Sequence, residues 1–161
     1  MRARRRRPLP LYRSARAAPH TSQPAGVRLE VISFSENQRK AFALYLTQMH
    51  ARIHAIFSDQ HLATIAQLPP ESPVNDKHLF ARIEIVIDAS SGGVSKAQLL
   101  RSSGVPDFDR IAIDSVNTAQ PFERAPDSIA SSDGNVYIDW EFRRDDESCS
   151  PRRALPHIFR P

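Results

Sequence analysis

The chain has 161 residues, a formal charge of +4 and a single cysteine, Cys149. That length suits one domain of ordinary size with tails. One cysteine excludes an internal disulfide, and no apolar run approaches the roughly 20 residues that span a bilayer. The charge is unevenly placed: Met1–Arg28 holds eight arginines and no Asp or Glu, leaving 14 basic against 18 acidic groups in the remainder. The basic field belongs to a tail, which argues against nucleic-acid binding by a folded surface.

Residues 1–34 are expected to form a disordered Arg/Pro-rich tail, too poor in large apolar groups to offset the entropy of ordering. Its last part, Val27–Phe34, alternates and could pair as a short strand. The run Arg2, Arg4, Arg5, Arg6 and Arg7 has no apolar stretch behind it, as an export signal requires, so neither signal nor anchor is expected. Charge alone lets such a run hold phosphate backbones or anionic lipid. This defines one functional alternative, a cytoplasmic nucleic-acid- or membrane-surface-associated protein acting through its tail.

The domain proper is expected over residues 35–143. Ser35 and Gln38 have the spacing of a capping box, and Phe42, Tyr45, Met49, Ile53 and Ile56 then recur at steps of three and four. That periodicity predicts a helix of about 22 residues with one apolar stripe. After Asp59 the pattern loosens, and Leu68-Pro69-Pro70 ends any helix. Ala81, Ile83, Ile85 and Ile87 alternate as a half-buried strand. Asp88–Gly93 supplies hairpin-turn residues, and Val94–Arg101 is the return strand. A second helix starts near Pro106, carries Phe108, Ala112, Val116 and Ala119 on one face, and stops at Pro121. Val136, Ile138, Trp140 and Phe142 alternate with Tyr137, Asp139, Glu141 and Arg143 in a last strand. Residues 144–161 are read as a polar tail.

Helix, strand, strand, helix, strand folds most simply as an α+β domain. The expected sheet is three-stranded and antiparallel, in the order 2-1-3, with both helices on one face. The other face, with Arg82, Glu84, Asp139 and Glu141, is expected to be solvated. The third strand would then be a long edge without proline, open to an added strand from a partner. The residues of that edge are Val136, Tyr137, Ile138, Asp139, Trp140, Glu141 and Phe142. A second copy could pair along it as well.

The second half of this layout resembles the carboxy-terminal domains of the TonB/TolA family. The likeness rests on Ile83-Glu84-Ile85-Val86-Ile87-Asp88, Gly93-Val94 and Leu100-Arg101-Ser102-Ser103-Gly104. It continues through Phe108-Asp109, Ala112, Val116, Ala119, Pro121-Phe122 and Asp133-Gly134 into Val136–Phe142, about 65 residues in all. The resemblance implies a non-enzymatic interaction domain, periplasmic or inner-membrane-associated and facing the periplasm, that takes part in energy-coupled outer-membrane transport. Its partner would be a peptide of an outer-membrane receptor or other envelope protein, bound along the last strand.

No catalytic constellation, cofactor site or metal site is expected. His50 and His54 have metal-binding spacing on the first helix, but Ala51 stands where a zinc protease has Glu and no third ligand follows. Ser102-Ser103-Gly104 lacks the flanking glycines of a nucleophile elbow, and no Gly-Lys-Ser/Thr follows Gly92-Gly93. Asp145-Asp146-Glu147 reads as a solvated charge run.

Overall fold

The computed structural model describes residues 33–160. Helix α1 spans Glu36–Ile56 and opens with the expected capping box. The Ser35 hydroxyl accepts from the Gln38 N–H at 3.1 Å, and the Gln38 side chain accepts from the Ser35 N–H at 2.9 Å. Phe42, Tyr45, Met49 and Ile53 are buried and Ile56 is partly so. The helical path continues beyond the expected end, through a π-helical turn at Phe57–Leu62 and a short α2 at Ala63–Ile65. The reason is a step of five. Phe57, Leu62 and Ile65 all reach the core, and the wider π turn carries Leu62 around to the face that Phe57 occupies.

Strand β1 (Phe80–Asp88) and β2 (Val94–Arg101) form the expected hairpin. Asp88 organises its turn: Oδ1 accepts from the Ser90 N–H, the Ser90 hydroxyl and the Ser91 N–H at 2.6–3.0 Å. Helix α3 runs Pro106–Ala119, and its Phe108, Ala112, Val116 and Ala119 are all buried. Arg52 of α1 donates to the Ala119 carbonyl at 2.9 Å, placing a cation at the negative end of α3. Strand β3 spans Asn135–Arg143 and pairs antiparallel with β1 over nine residues, from Phe80 opposite Arg143 to Asp88 opposite Asn135.

Among the described residues the sheet has four strands and not three. Residues 154–157 form β4, antiparallel to β3, so the order is β2-β1-β3-β4. The expected polar tail from residue 144 is therefore largely part of the domain. Its apolar residues, Cys149, Ile158 and Phe159, are buried; their short spacing among Arg, Pro and Ser hides them from a periodicity search.

Even-numbered residues of β3 build the core. Val136, Ile138, Trp140 and Phe142 are fully buried beside Ala81, Ile83, Ile85 and Ile87. Phe57 meets Phe108 and Phe142 edge-to-face, at centroid distances of 6.0 and 5.0 Å, the favoured aromatic geometry. Trp140 Nε1 donates to the Cys149 carbonyl at 3.1 Å, so its one polar atom is satisfied. The opposite face is less solvated than expected. Glu84 and Glu141 are buried there, along with Val86 and Tyr137. Lys96 and Gln98 reach Glu84 at 3.5 and 3.3 Å, while Arg82 and Arg143 reach Glu141 at 3.2 and 2.6 Å. The long cationic stems cover the carboxylates while keeping them paired.

Two short motifs have direct structural causes. Asp109, buried at the start of α3, accepts from the Ser102 hydroxyl and from the Ser103 N–H at 2.8 Å. That ties the end of β2 to the helix. At the hairpin tip, the Phe122 N–H donates to the Gly92 carbonyl at 2.8 Å. Gly92 has φ +73°, and a Cβ there would lie 1.8 Å from the Phe122 carbonyl oxygen. Gly104, at φ +88°, has open space around the same position. Gly104→Ala is expected to cost about 1 kcal/mol, the penalty of a left-handed alanine. Gly92→Ala adds a backbone clash and should cost about 3 kcal/mol or more. Urea unfolding followed by the fluorescence of Trp140 measures both, and equal losses would refute the close approach as the cause.

Candidate functional site

The edge that the sequence nominates is Val136–Phe142, and its backbone divides by parity. The Ala89 N–H donates to the Gly134 carbonyl and the Arg144 N–H to the Leu79 carbonyl, both at 3.0 Å. Even residues of this strand therefore turn their backbone groups toward β1. On the other side the Arg143 N–H reaches Ser148 and the Asn135 carbonyl accepts from Ser131, both at 2.8 Å. By the two-residue period of a ladder, Tyr137 and Asp139 present their N–H and C=O groups toward β4. Their opposite numbers are His157 and Leu155.

That edge is not free. The segment Ala154–Phe159 lies along it in alternation. Ala154 and Ile158 pack with the main core, while Phe159 sits on the outer face against Val86 and Tyr137. Phe159 meets Tyr137 edge-to-face at 4.6 Å, and the His157 ring stacks on Phe159 at 6.2 Å. His157 Nε2 is 3.1 Å from Asp139 Oδ2. The Phe159 N–H donates to the Ser131 hydroxyl at 2.9 Å, and its carbonyl accepts from the Ser132 N–H at 3.0 Å. Burying Ile158 and Phe159 contributes about 2 kcal/mol each. Pro156 lies opposite Ile138, so its lack of an N–H falls on the outer side, the usual place for an edge proline. The Leu155 side chain is 61 % exposed.

The opposite margin of the sheet is β2, which among the described residues has a neighbour on one side only. It is eight residues long and contains no proline. Leu99 projects partly exposed from it, opposite Ile83 of β1. Among the described residues β2 is the longer edge, and β4 is short and proline-bearing.

The remaining sequence candidates resolve as follows. Arg2, Arg4, Arg5, Arg6 and Arg7, with most of the Val27–Phe34 run, lie outside the described residues. The rings of His50 and His54 stand 5.1 Å apart, and His54 Nδ1 is 3.4 Å from Asp59. Partial burial and the neighbouring His54 lower the His50 pKa. Among the described residues no group of three or more His, Cys, Asp or Glu gathers as a metal site would require. The acidic run 145–147 is a turn tied to arginines: Arg143 reaches Asp145 at 2.9 Å and Arg153 reaches Glu147 at 2.5 Å. Sequence reasoning missed Ser131, Ser132 and Phe159 at the edge. The only sequence signal for Phe159 was the alternation of Leu155, His157 and Phe159 against Ala154, Pro156 and Ile158.

No family model matches the chain, and no curated protein or solved structure matches it either. The class that the coordinates define is an α+β domain with two long helices on an antiparallel sheet. Among the described residues no helix is long and apolar enough to cross a membrane.

Cys149 is buried in the main core, and burial pushes its thiol from 9.0 up to about 11. The folded form therefore favours the neutral thiol. That contribution is complete below about pH 9 and is lost as the pH rises through about 11. That rise leaves about 100-fold less thiolate at a given pH. Alkylation at pH 8, followed by mass spectrometry, should thus run at least about 100-fold slower in the native protein than in urea. Comparable rates would contradict this placement.

Proposed function

We propose that this chain is a non-enzymatic, TonB/TolA-like interaction domain of the cell envelope that binds an extended peptide by strand addition along β3. Its partner is a segment of an outer-membrane receptor or another envelope protein, and the setting is energy-coupled transport across the periplasm. The supporting observation is the unequal pairing of β3. One side of it is laddered over nine residues by β1, whereas the other is laddered over only the four residues of β4, with single bonds to Ser131 and Ser148 near its ends. A short edge strand is the cheapest element of a sheet to exchange, because leaving it breaks few ladder bonds. An incoming strand would take the same backbone groups of Tyr137 and Asp139 and displace β4.

A second reading places the added strand on β2, where no described strand has to move. The eight-residue edge and the exposed Leu99 favour it.

One titration separates these readings. Isotope-labelled full-length protein is titrated with periplasm-facing peptides of outer-membrane receptors from the same cell, and amide shifts are mapped. Addition at β3 should shift odd-numbered residues from Asn135 to Glu141 together with residues 154–159. Addition at β2 should shift Val94–Arg101 and leave the carboxy-terminal segment unchanged. Absence of binding by any such peptide at millimolar concentration removes the interaction reading.

A further inference from the structure

The chain carries its own example of what the β3 edge accepts. We infer that the partner segment, granted the strand-addition reading above, has the chemistry of residues 154–159. It would be an extended peptide antiparallel to β3, with an aliphatic side chain entering the core and an aromatic one the outer face. A histidine or another basic residue would precede that pair.

Three features of the seat are selective, and each lies at a different position. The core-side position taken by Ile158 is continuous with the main apolar cluster and buries its occupant. The outer position, between Val86 and Tyr137, holds Phe159 edge-to-face, a geometry that an aliphatic side chain cannot reproduce. Ahead of both, Asp139 reaches the His157 ring at 3.1 Å, which sets a preference for a donor or cation and against a carboxylate. Ser131 and Ser132 then clamp the backbone at the aromatic residue, one accepting from its N–H and the other donating to its carbonyl. Such a clamp fixes register, because a slip of one residue would turn the aromatic group toward the core. The seat thus reads side chains as well as the backbone, and the resident segment competes for it at the high effective concentration of a tethered ligand.

The test uses full-length protein and a fluorescein-labelled peptide with the sequence of residues 153–161, Arg-Ala-Leu-Pro-His-Ile-Phe-Arg-Pro. The native chain should bind it weakly, since its own copy holds the site. Phe159→Ala removes the aromatic wedge of the resident segment and should tighten peptide binding at least tenfold by fluorescence anisotropy. A peptide with alanine at the aromatic position should lose at least tenfold on the same variant. His157→Glu is the second variant, in case the first unfolds. It sets a carboxylate beside Asp139 without opening a cavity and should tighten binding in the same direction. The inference is overturned if a variant with native near-ultraviolet dichroism binds the peptide no better than the native chain. It is also overturned if the peptide lacking the aromatic residue binds equally well. Receptor peptides that shift β3 while this peptide never binds would defeat the inference alone. Binding of this peptide with no receptor segment binding would defeat the envelope reading and leave the seat's chemistry standing.

Discussion

The nine-residue ladder between β1 and β3 is the constraint on which the other contacts depend. A strand alternates its side chains between faces and its backbone groups between neighbours, so one register sets four surfaces at once. Ile83, Ile85, Ile138 and Trp140 face the helices, while Glu84, Val86, Tyr137 and Asp139 face outward. A slip of one residue would exchange these sets. It would put carboxylates under α1 and α3 and Trp140 into water, which no local adjustment could absorb. The same register turns the backbone of Tyr137 and Asp139 away from β1, and this creates the line that β4 occupies.

Three tertiary ties hold the hairpin and helix to that ladder. Asp109 draws the end of β2 onto the first turn of α3, the Gly92 carbonyl holds Phe122, and Arg52 of α1 caps the far end of α3. Each satisfies backbone groups at an element's end, where the ladder and the helix leave them unpaired. The close approach at Gly92 explains why the tip needs a residue without Cβ. The serines before α3 act as donors to a buried carboxylate, and that accounts for them without any nucleophilic role.

The outer face shows how a sheet can be polar in composition and still largely covered. Glu84 and Glu141 are buried but paired, and Phe80 lies under the guanidinium groups of Arg101 and Arg143 at 4.4 and 5.4 Å. Arginine suits this position because its plane stacks on an aromatic ring while its edge donates to a carboxylate. With that paving in place, the most exposed backbone pairing in the sheet is at its two margins. One of them is closed by the chain's own last strand, which couples any use of the β3 edge to the release of Ile158 and Phe159.

The α+β class, both long helices, the hairpin and the Val136–Phe142 strand were legible from spacing alone. Their apolar residues recur at three to four or at two over long enough runs to exclude other structures. The capping box at Ser35 and the Pro106 start were equally plain, since both act through neighbours in the chain. The π turn at Phe57–Leu62, the paved outer face and the fourth strand were not. Glu84 reads as solvated until Lys96 and Gln98 are brought beside it by the hairpin register. Ala154–Phe159 contains a proline and only three large apolar side chains, Leu155, Ile158 and Phe159, too weak a pattern to mark a strand by itself. It becomes one because β3 offers unpaired backbone groups and Val86, Tyr137 and Ser131 offer a seat. Local spacing determined the elements; the closing of the sheet depended on contacts between residues far apart in the chain, whose energy no local pattern carries.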